Sequence, residues 1–248
     1  MRYKALIVDV DGTLAKSKEK TLPSKKVRKA ILKAKDLIHI GIATGRPLFL
    51  IEDIVKHLDL SGPSIINDGA MVIDLNTRAI LYEKLIPENE LFEAIRILQE
   101  YRIPFSIHDE NKDIFYTDSY HMNKPVNIFT DGVELDRAHN AYEELNKIPT
   151  LHVNKYVSWH NGLTGVLVSH SEATKQHGIL EAARALGIST EEIIGVGDGY
   201  NDFPLLMACG FKVAMGNAVD DLKEIADYIA PSVDEDGVAD VIEKFILS

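Results

Sequence analysis

With 248 residues, the chain is long enough for one large domain or for a core that carries an inserted module. Its 27 Lys+Arg against 38 Asp+Glu give a formal charge of −11, and no basic block stands out beyond Lys25, Lys26, Arg28 and Lys29 on one helix face, so the electrostatic footprint of a nucleic-acid binder is absent. The single cysteine excludes an intramolecular disulfide framework and a Cys-based zinc cage, and no run approaches the roughly 18 apolar residues of a membrane helix.

The chain opens on YKALIVDVDGTL, Tyr3 to Leu14. Leu6, Ile7 and Val8 form a short apolar run that reads as a buried strand, with Asp9 and Asp11 where it stops and Gly12-Thr13 turning the chain. The apolar run is too short, and too soon acidic, for a signal segment. A helix follows with Val27, Ala30, Ile31, Ala34 and Leu37 at helical spacing, and Pro23 suits its first turn. Ile38 to Pro47 (IHIGIATGRP) is a second buried strand, Leu50 to Leu58 a second helix, and PSIINDGA a third strand ending at Asn67, Asp68 and Gly69. This alternation argues for a parallel sheet. The rhythm then breaks into a hairpin around Leu75–Arg78, a helix opened by Pro87, and short strands IPFSIH and DIFYT. Residues 117–136 carry no clear pattern; HNAYEELNKI reads as a helix, and YVSWH and TGVLVSH as strands. The middle third is therefore assigned to an inserted α+β module, residues 83–168, with the core formed by 1–82 and 169–248. From Ser171 the strand–helix alternation returns, beginning with a capped helix that ends at Gly187 and a strand running into GDGYND, and closing on a helix that begins near Asp236-Gly237.

Four strand-end features can converge on one edge of such a sheet: DVDGT at 9–13, Thr44-Gly45-Arg46, Lys175, and GDGYND at 197–202. They supply carboxylates, a hydroxyl, an ammonium and flexible Gly amides, which is the inventory for phosphoryl transfer with Mg²⁺. No GxxxxGK[ST] loop and no kinase-type glycine loop is present. GVGDG at 195–199 has the pattern GxGxG rather than the GxGxxG of a dinucleotide site. Cys209, inside LLMACG, reads as a packed core thiol. No HxxxH or HExxH spacing occurs, so His121, His160, His170 and His177 read as polar surface or loop residues rather than zinc ligands. Tyr156 and Trp159, alternating with Val157, read as packing residues, and one of them or His160 is a candidate to face the substrate. Asp234, Glu235 and Asp236 read as a solvated acidic loop.

DVDGT, Thr44, Lys175 and GDGYND, in that order, resemble motifs one to four of the haloacid dehalogenase superfamily, and the inserted module resembles the large α+β cap of its Cof-type sugar-phosphatase branch. TGRP at 44–47, NDGA at 67–70, VAMGNA at 213–218 and EDGVA at 235–239 match family habits as well. The resemblance implies an α/β fold with a Rossmann-like parallel-sheet core, helices on both faces and a cap that closes during the reaction. It implies that Asp9 is the nucleophile, that Asp11 is the general acid and base, and that Mg²⁺ is the cofactor, held by Asp9, the Asp11 backbone carbonyl and Asp198. Asp202 would support the metal, directly or through water, or orient Lys175. Thr44, Gly45 and Lys175 would hold phosphoryl oxygens, and Arg46 and Asn201 would contact the substrate or its phosphate. The implied activity is Mg-dependent hydrolysis of a small phosphorylated metabolite, a sugar phosphate or phosphoglycolate type. The alternatives are a phosphosugar mutase and a non-catalytic metabolite-binding protein on the same scaffold. An acid/base at position 11 suits phosphatases and mutases better than dehalogenases or ATPase pumps. The remaining expectations are a cytoplasmic monomer or homodimer without nucleic-acid or membrane partners.

Overall fold

The computed structural model describes residues 2–16, 21–109, 112–115, 124–158 and 161–248, with 112–115 described by their backbone. The chain divides into two compact units, Met1–Glu83 with Thr174–Ser248, and Lys84–Ala173. In chain order the first unit begins with β1 (Ala5–Val8), α1 (Lys25–Ala34), β2 (His39–Ile42), α2 (Leu48–Leu58), β3 (Pro63–Ile66), β4 (Met71–Asp74) and β5 (Ile80–Glu83). The second unit holds α3 (Glu88–Glu100), β6 (Phe105–Asp109), β7 (Lys112–Phe115), β8 (Pro125–Thr130), α4 (Leu135–Leu145), β9 (Leu151–Val157) and β10 (Thr164–His170). The first unit resumes with α5 (Lys175–Leu186), β11 (Ile193–Gly197), α6 (Phe203–Ala208), β12 (Phe211–Ala214), α7 (Asp220–Glu224), β13 (Tyr228–Ile229) and α8 (Gly237–Phe245).

The first unit is built on a five-stranded parallel sheet in the order β13-β12-β11-β1-β2. β1 lies inside it, with Ala5 opposite both Ile193 and His39, and all four of its residues are buried. A strand buried on both faces needs an unbroken apolar run, which LIV supplies. α1 packs against α8 and α5 against α6, flanking the sheet with helices as the α/β pattern requires. The buried stripe of α1 is Val27, Ala30, Ile31 and Ala34, and its cap is Ser24, whose Oγ accepts from the Val27 amide at 3.1 Å. Pro23 thus precedes the cap instead of occupying the first turn. α5 is capped at one end by Thr174 and at the other by Gly187 in the left-handed region at φ 67°. The acidic run near the C-terminus forms a capping turn: Glu235 accepts from the Ser232 amide at 3.1 Å, and Asp236 accepts from the Ser24 hydroxyl at 2.5 Å.

β3 keeps the expected parallel direction, joined to the chain beyond β2 by the parallel bridge Ala43 to Ile65, but it belongs to a three-stranded sheet, β3-β4-β5, in which β4 is antiparallel to it. The antiparallel return comes from the NDG turn. Asn67, Asp68 and Gly69 have φ of 51°, 56° and 102°, and this left-handed run sends the chain back antiparallel to β3. The expected hairpin is the β4–β5 pair.

The second unit is an antiparallel sheet, β7-β6-β8-β10-β9, with α3 and α4 on one face. Leu91, Ile95 and Leu98 of α3 and Ala138, Ala141 and Leu145 of α4 close a core with Ile107, Ile128, Val153, Val166 and Val168. The unpatterned stretch 117–136 contains β8, the central strand of this sheet. Its alternation is broken by an apolar Phe129 on the face away from the helices and a polar Thr130, fully buried, on the other. Tyr156 packs its ring over Gly165 and donates its hydroxyl to the Thr130 carbonyl. His121, Trp159 and His160 lie outside the described residues. Among the described residues no helix is long and apolar enough to cross a membrane.

Two consequences are measurable. A Cβ on Gly69 would lie 2.0 Å from the Thr174 carbonyl oxygen, at a φ that strains any other residue. Gly69→Ala is expected to lower unfolding stability by roughly 2–4 kcal/mol in urea titrations. Burial pushes the Cys209 thiol up to about 12. A disulfide reagent near pH 8 is therefore expected to leave the native protein unmodified and to react fully in denaturant, where the thiol returns to its ordinary range.

Candidate active site

Asp9 is the first residue past β1, yet its main chain is still in the sheet: its amide donates to the Val196 carbonyl at 2.9 Å. Its side chain, 5% exposed, points at the carboxyl edge. Lys175 meets it there. As the first residue of α5, with the Thr174 cap behind it, Lys175 is 1% exposed and donates to Asp9 Oδ1 and Asp202 Oδ1, both at 2.6 Å. Gly69 makes this placement possible, since its missing Cβ leaves room for the backbone of Thr174 and Lys175.

Asp202 has no exposed surface, and its second oxygen accepts from the amides of Asp198 and Gly199 at 2.8 and 2.9 Å. Both of its oxygens are therefore occupied by protein donors. A Cβ on Gly197 would fall 2.5 Å from the Asp202 side chain, so this glycine serves close approach within the loop and not a dinucleotide. Asp198 accepts from the Thr13 hydroxyl at 2.7 Å. Gly12, at φ 79°, carries no side chain where Asp198 Oδ2 passes, 2.2 Å from the position of a Cβ. Asn217 ties these loops together: its amide nitrogen donates to the Gly12 carbonyl at 2.9 Å and its oxygen accepts from the Val233 amide at 2.8 Å.

The remaining residues form a second knot. Thr44, 1% exposed, accepts from the Arg46 amide at 3.1 Å through its hydroxyl and from the Asp68 amide at 3.0 Å through its carbonyl. Gly45 has open space where a Cβ would stand. Arg46 is turned onto Asp11, with Nε to Oδ2 at 2.7 Å and Nη2 to Oδ1 at 2.5 Å. Asn201 is exposed and reaches Asp68 Oδ1 at 3.4 Å. The structure thus brings Asp9, Lys175, Asp198 and Asp202 into one cluster and places Thr44, Arg46 and Asp11 beside it. Thr13, Asp68 and Asn217 were missing from the candidate residues. Their signals were the DGT, NDGA and VAMGNA stretches, whose side-chain partners lie far off in sequence.

The electrostatics follow from an excess of carboxylates. Burial holds Asp9 well above the ordinary carboxylate range, and Asp202 and Asp198 push it further up against the opposing pull of Lys175. Burial alone would lower Lys175, but the carboxylates of Asp202, Asp9 and Asp68 outweigh it and keep the ammonium charged. Burial raises Asp198 to about 6, opposed by the Thr13 hydrogen bond and reinforced by Asp202. Oxygens of Asp9, Asp198 and Asp202 lie within 4.8 Å of one another. One ammonium cannot neutralise three carboxylates at that spacing. The donor set is all oxygen and fits a hard divalent cation. Asp9 Oδ2 accepts no hydrogen bond among the described residues, and Asp198 Oδ2 has only the long 3.4 Å approach of Asn217. These two carboxylates have the less engaged oxygens, whereas Asp202 also braces Lys175 and the loop.

Comparison with known proteins agrees with this geometry. The family model for haloacid dehalogenase-like hydrolases matches residues 6–148 and 111–242. The 5-amino-6-(5-phospho-D-ribitylamino)uracil phosphatase YcsE of Bacillus subtilis is 29% identical over 253 residues, covering 98% of this chain and 96% of that protein. Phosphoglycolate phosphatase 1 of Saccharolobus solfataricus is 25% identical, covering 98% and 96%. Among solved structures, the subclass IIB sugar phosphatase BT4131 superposes with a TM-score of 0.77 at 27% identity, covering 98% of both chains. A haloacid dehalogenase-like hydrolase from Bacteroides thetaiotaomicron shares the fold at a TM-score of 0.83 and 22% identity, covering 98% of this chain and 99% of that one. The chain belongs to the haloacid dehalogenase-like hydrolases and is an enzyme of that family.

Proposed function

We propose that the protein is a Mg²⁺-dependent phosphatase of small phosphorylated metabolites, of the sugar-phosphate or phosphoglycolate type, working through an aspartyl-phosphate on Asp9. The observation that carries this reading is the buried Asp9–Lys175–Asp202 cluster, with Asp198 beside it, at the carboxyl edge of a parallel sheet. The curated relatives add support, since their names specify phosphatases acting on a phosphoribitylamino-uracil and on phosphoglycolate. The inserted unit Lys84–Ala173 is taken as the cap of such an enzyme.

A carboxylate oxygen of Asp9 attacks phosphorus, and the bond to the leaving oxygen breaks with its electron pair staying on that oxygen. Asp11 supplies the proton that the leaving oxygen needs. Water then attacks phosphorus, Asp11 takes its proton, and the phosphorus–Asp9 bond breaks to release inorganic phosphate. Lys175 keeps Asp9 aligned and offers positive charge to the phosphoryl oxygens, and the Thr44 hydroxyl adds a donor. Asp9, the Asp11 carbonyl and Asp198 would hold the metal, with Asp202 bracing the loop behind them. A bound Mg²⁺ offsets the repulsion between an anionic nucleophile and an anionic phosphate.

Phosphate release from p-nitrophenyl phosphate and a panel of phosphorylated metabolites tests the reading. Activity is expected with Mg²⁺, to vanish with EDTA, and to return on adding the metal. Asp9→Asn is expected to lower kcat/KM by at least about 10³-fold; survival of activity in that variant overturns the mechanism. Lys175→Met strands Asp9 and Asp202 without their buried cation. It is expected to lose about 3–5 kcal/mol of stability in denaturant titrations run in EDTA, together with its activity.

A further inference from the structure

By its place in the sequence, Arg46 belongs with the groups that would contact a substrate phosphate. Its geometry indicates another task. The guanidinium is 7% exposed and meets Asp11 at two points, with Nε to Oδ2 at 2.7 Å and Nη2 to Oδ1 at 2.5 Å. Such a fork matches the plane of a carboxylate and fixes its rotation, which a point-charge ammonium does not do. The origin of the side chain is fixed as well. The Arg46 amide donates to Thr44 Oγ1 at 3.1 Å, and its carbonyl accepts from the Asn67 amide at 3.2 Å. Asp9, two residues before Asp11, has its own cation in Lys175 at 2.6 Å. The two acids of the opening strand end therefore do not share a cation. One is aligned by a buried ammonium, the other by a guanidinium fork.

We propose that Arg46 is the positioning residue of the general acid/base: it sets the plane and direction of the Asp11 carboxyl and does not serve as a phosphate contact. The inference rests on the phosphatase reading above. When one Asp11 oxygen carries the proton destined for the leaving oxygen, the other still accepts from Arg46, so the carboxyl keeps its plane. After transfer both oxygens accept again, and the aligned carboxylate takes the proton of the attacking water.

Leaving groups discriminate between the roles. p-Nitrophenolate departs without a proton, whereas an alkoxide needs one. The experiment measures kcat/KM for p-nitrophenyl phosphate and for the best alkyl phosphate of the metabolite panel, on wild type, Arg46→Gln, Arg46→Lys and Asp11→Asn. kcat/KM covers only the steps through departure of the leaving group, so loss of the base in the second half-reaction does not enter it. In the Arg46 variants the alkyl ester is expected to lose about 10²-fold and the aryl ester less than about 5-fold, with the same bias in Asp11→Asn. A burst of p-nitrophenolate is also expected, because the aspartyl-phosphate forms but its hydrolysis lacks an aligned base. The ratio of the two esters is taken on one preparation, so partial unfolding of a variant cancels. Parallel losses on both esters in the Arg46 variants overturn the proposal and leave the phosphatase reading intact; a wild type active on the aryl ester alone overturns the metabolite part of that reading, and the proposal with it. A wild type that releases phosphate from neither ester overturns the reading, and the proposal falls with it.

Discussion

A fully buried ammonium between two carboxylates is the contact on which the rest of this structure depends. Lys175 has 1% of its surface exposed and touches Asp9 and Asp202 at 2.6 Å each. Removing an ammonium from water is expensive, and the expense is recovered only by close, well-directed partners. The partners come from three distant parts of the chain: the end of β1, the first turn of α5 and the loop after β11. The contact therefore also fixes where those parts meet. Each neighbouring special feature serves it. Gly69 vacates the space that the start of α5 occupies, and Gly197 vacates the space for Asp202. The two amides on the second Asp202 oxygen hold that carboxylate in place. None of these features would be required by a parallel sheet that merely had to fold.

The same contact leaves a charge imbalance. Asp9, Asp198 and Asp202 converge, and Lys175 answers only part of their charge. Burial raises the affinity of Asp9 and Asp198 for protons, and the neighbouring carboxylates add to it. A divalent cation would relieve the imbalance without displacing the lysine, because Asp9 and Asp198 have the less engaged oxygens. On the proposed mechanism, lysine and metal would divide the carboxylates between them, with Asp9 meeting both. Such an arrangement lets the anionic Asp9 approach an anionic phosphate.

Much of this was legible in the residues. Strand–helix alternation and buried apolar runs identified β1, β2, β11 and their helices, because a parallel strand covered on both faces has no polar alternation to confuse the reading. Asp9, Asp198 and Asp202 were legible because their motifs sit at strand ends, which a parallel sheet brings to one edge, whereas Lys175 opens α5 and was legible only by its order between the inserted module and GDGYND. What stayed hidden has physical reasons. β3 runs parallel as its apolar run suggests, but the antiparallel return of β4 was hidden, since it is decided by three left-handed residues between them, Asn67, Asp68 and Gly69. β8 was hidden by Phe129 and Thr130, whose apolar and polar side chains fall on the faces opposite to the alternation set by Val126, Asn127 and Ile128. Thr13, Asp68 and Asn217 have ordinary side chains for turns, and only their long-range partners mark them. Arg46 was legible as a site residue, but its partner was not, because a guanidinium serves a phosphate and a carboxylate equally well.

The two acids of the opening strand also differ in how the backbone holds them, which bears on the role of Arg46. The Asp9 amide still pairs with the Val196 carbonyl, so its Cα is anchored in the sheet and one buried lysine is enough to set its side chain. Asp11 lies beyond the sheet, in a loop closed on itself by the Gly12 amide to the Ala15 carbonyl at 2.7 Å and the Ala15 amide to the Val10 carbonyl at 2.9 Å. Its side chain is 23% exposed. A carboxyl in that position has rotational freedom that the nucleophile lacks, and proton transfer depends on direction as much as on distance. The orientation that the sheet gives Asp9 must come to Asp11 through its side chain. The element that supplies it, Arg46, is itself pinned to Thr44 and to Asn67. The strained NDG turn after β3 thereby enters the chemistry: it holds the arginine that aims the acid.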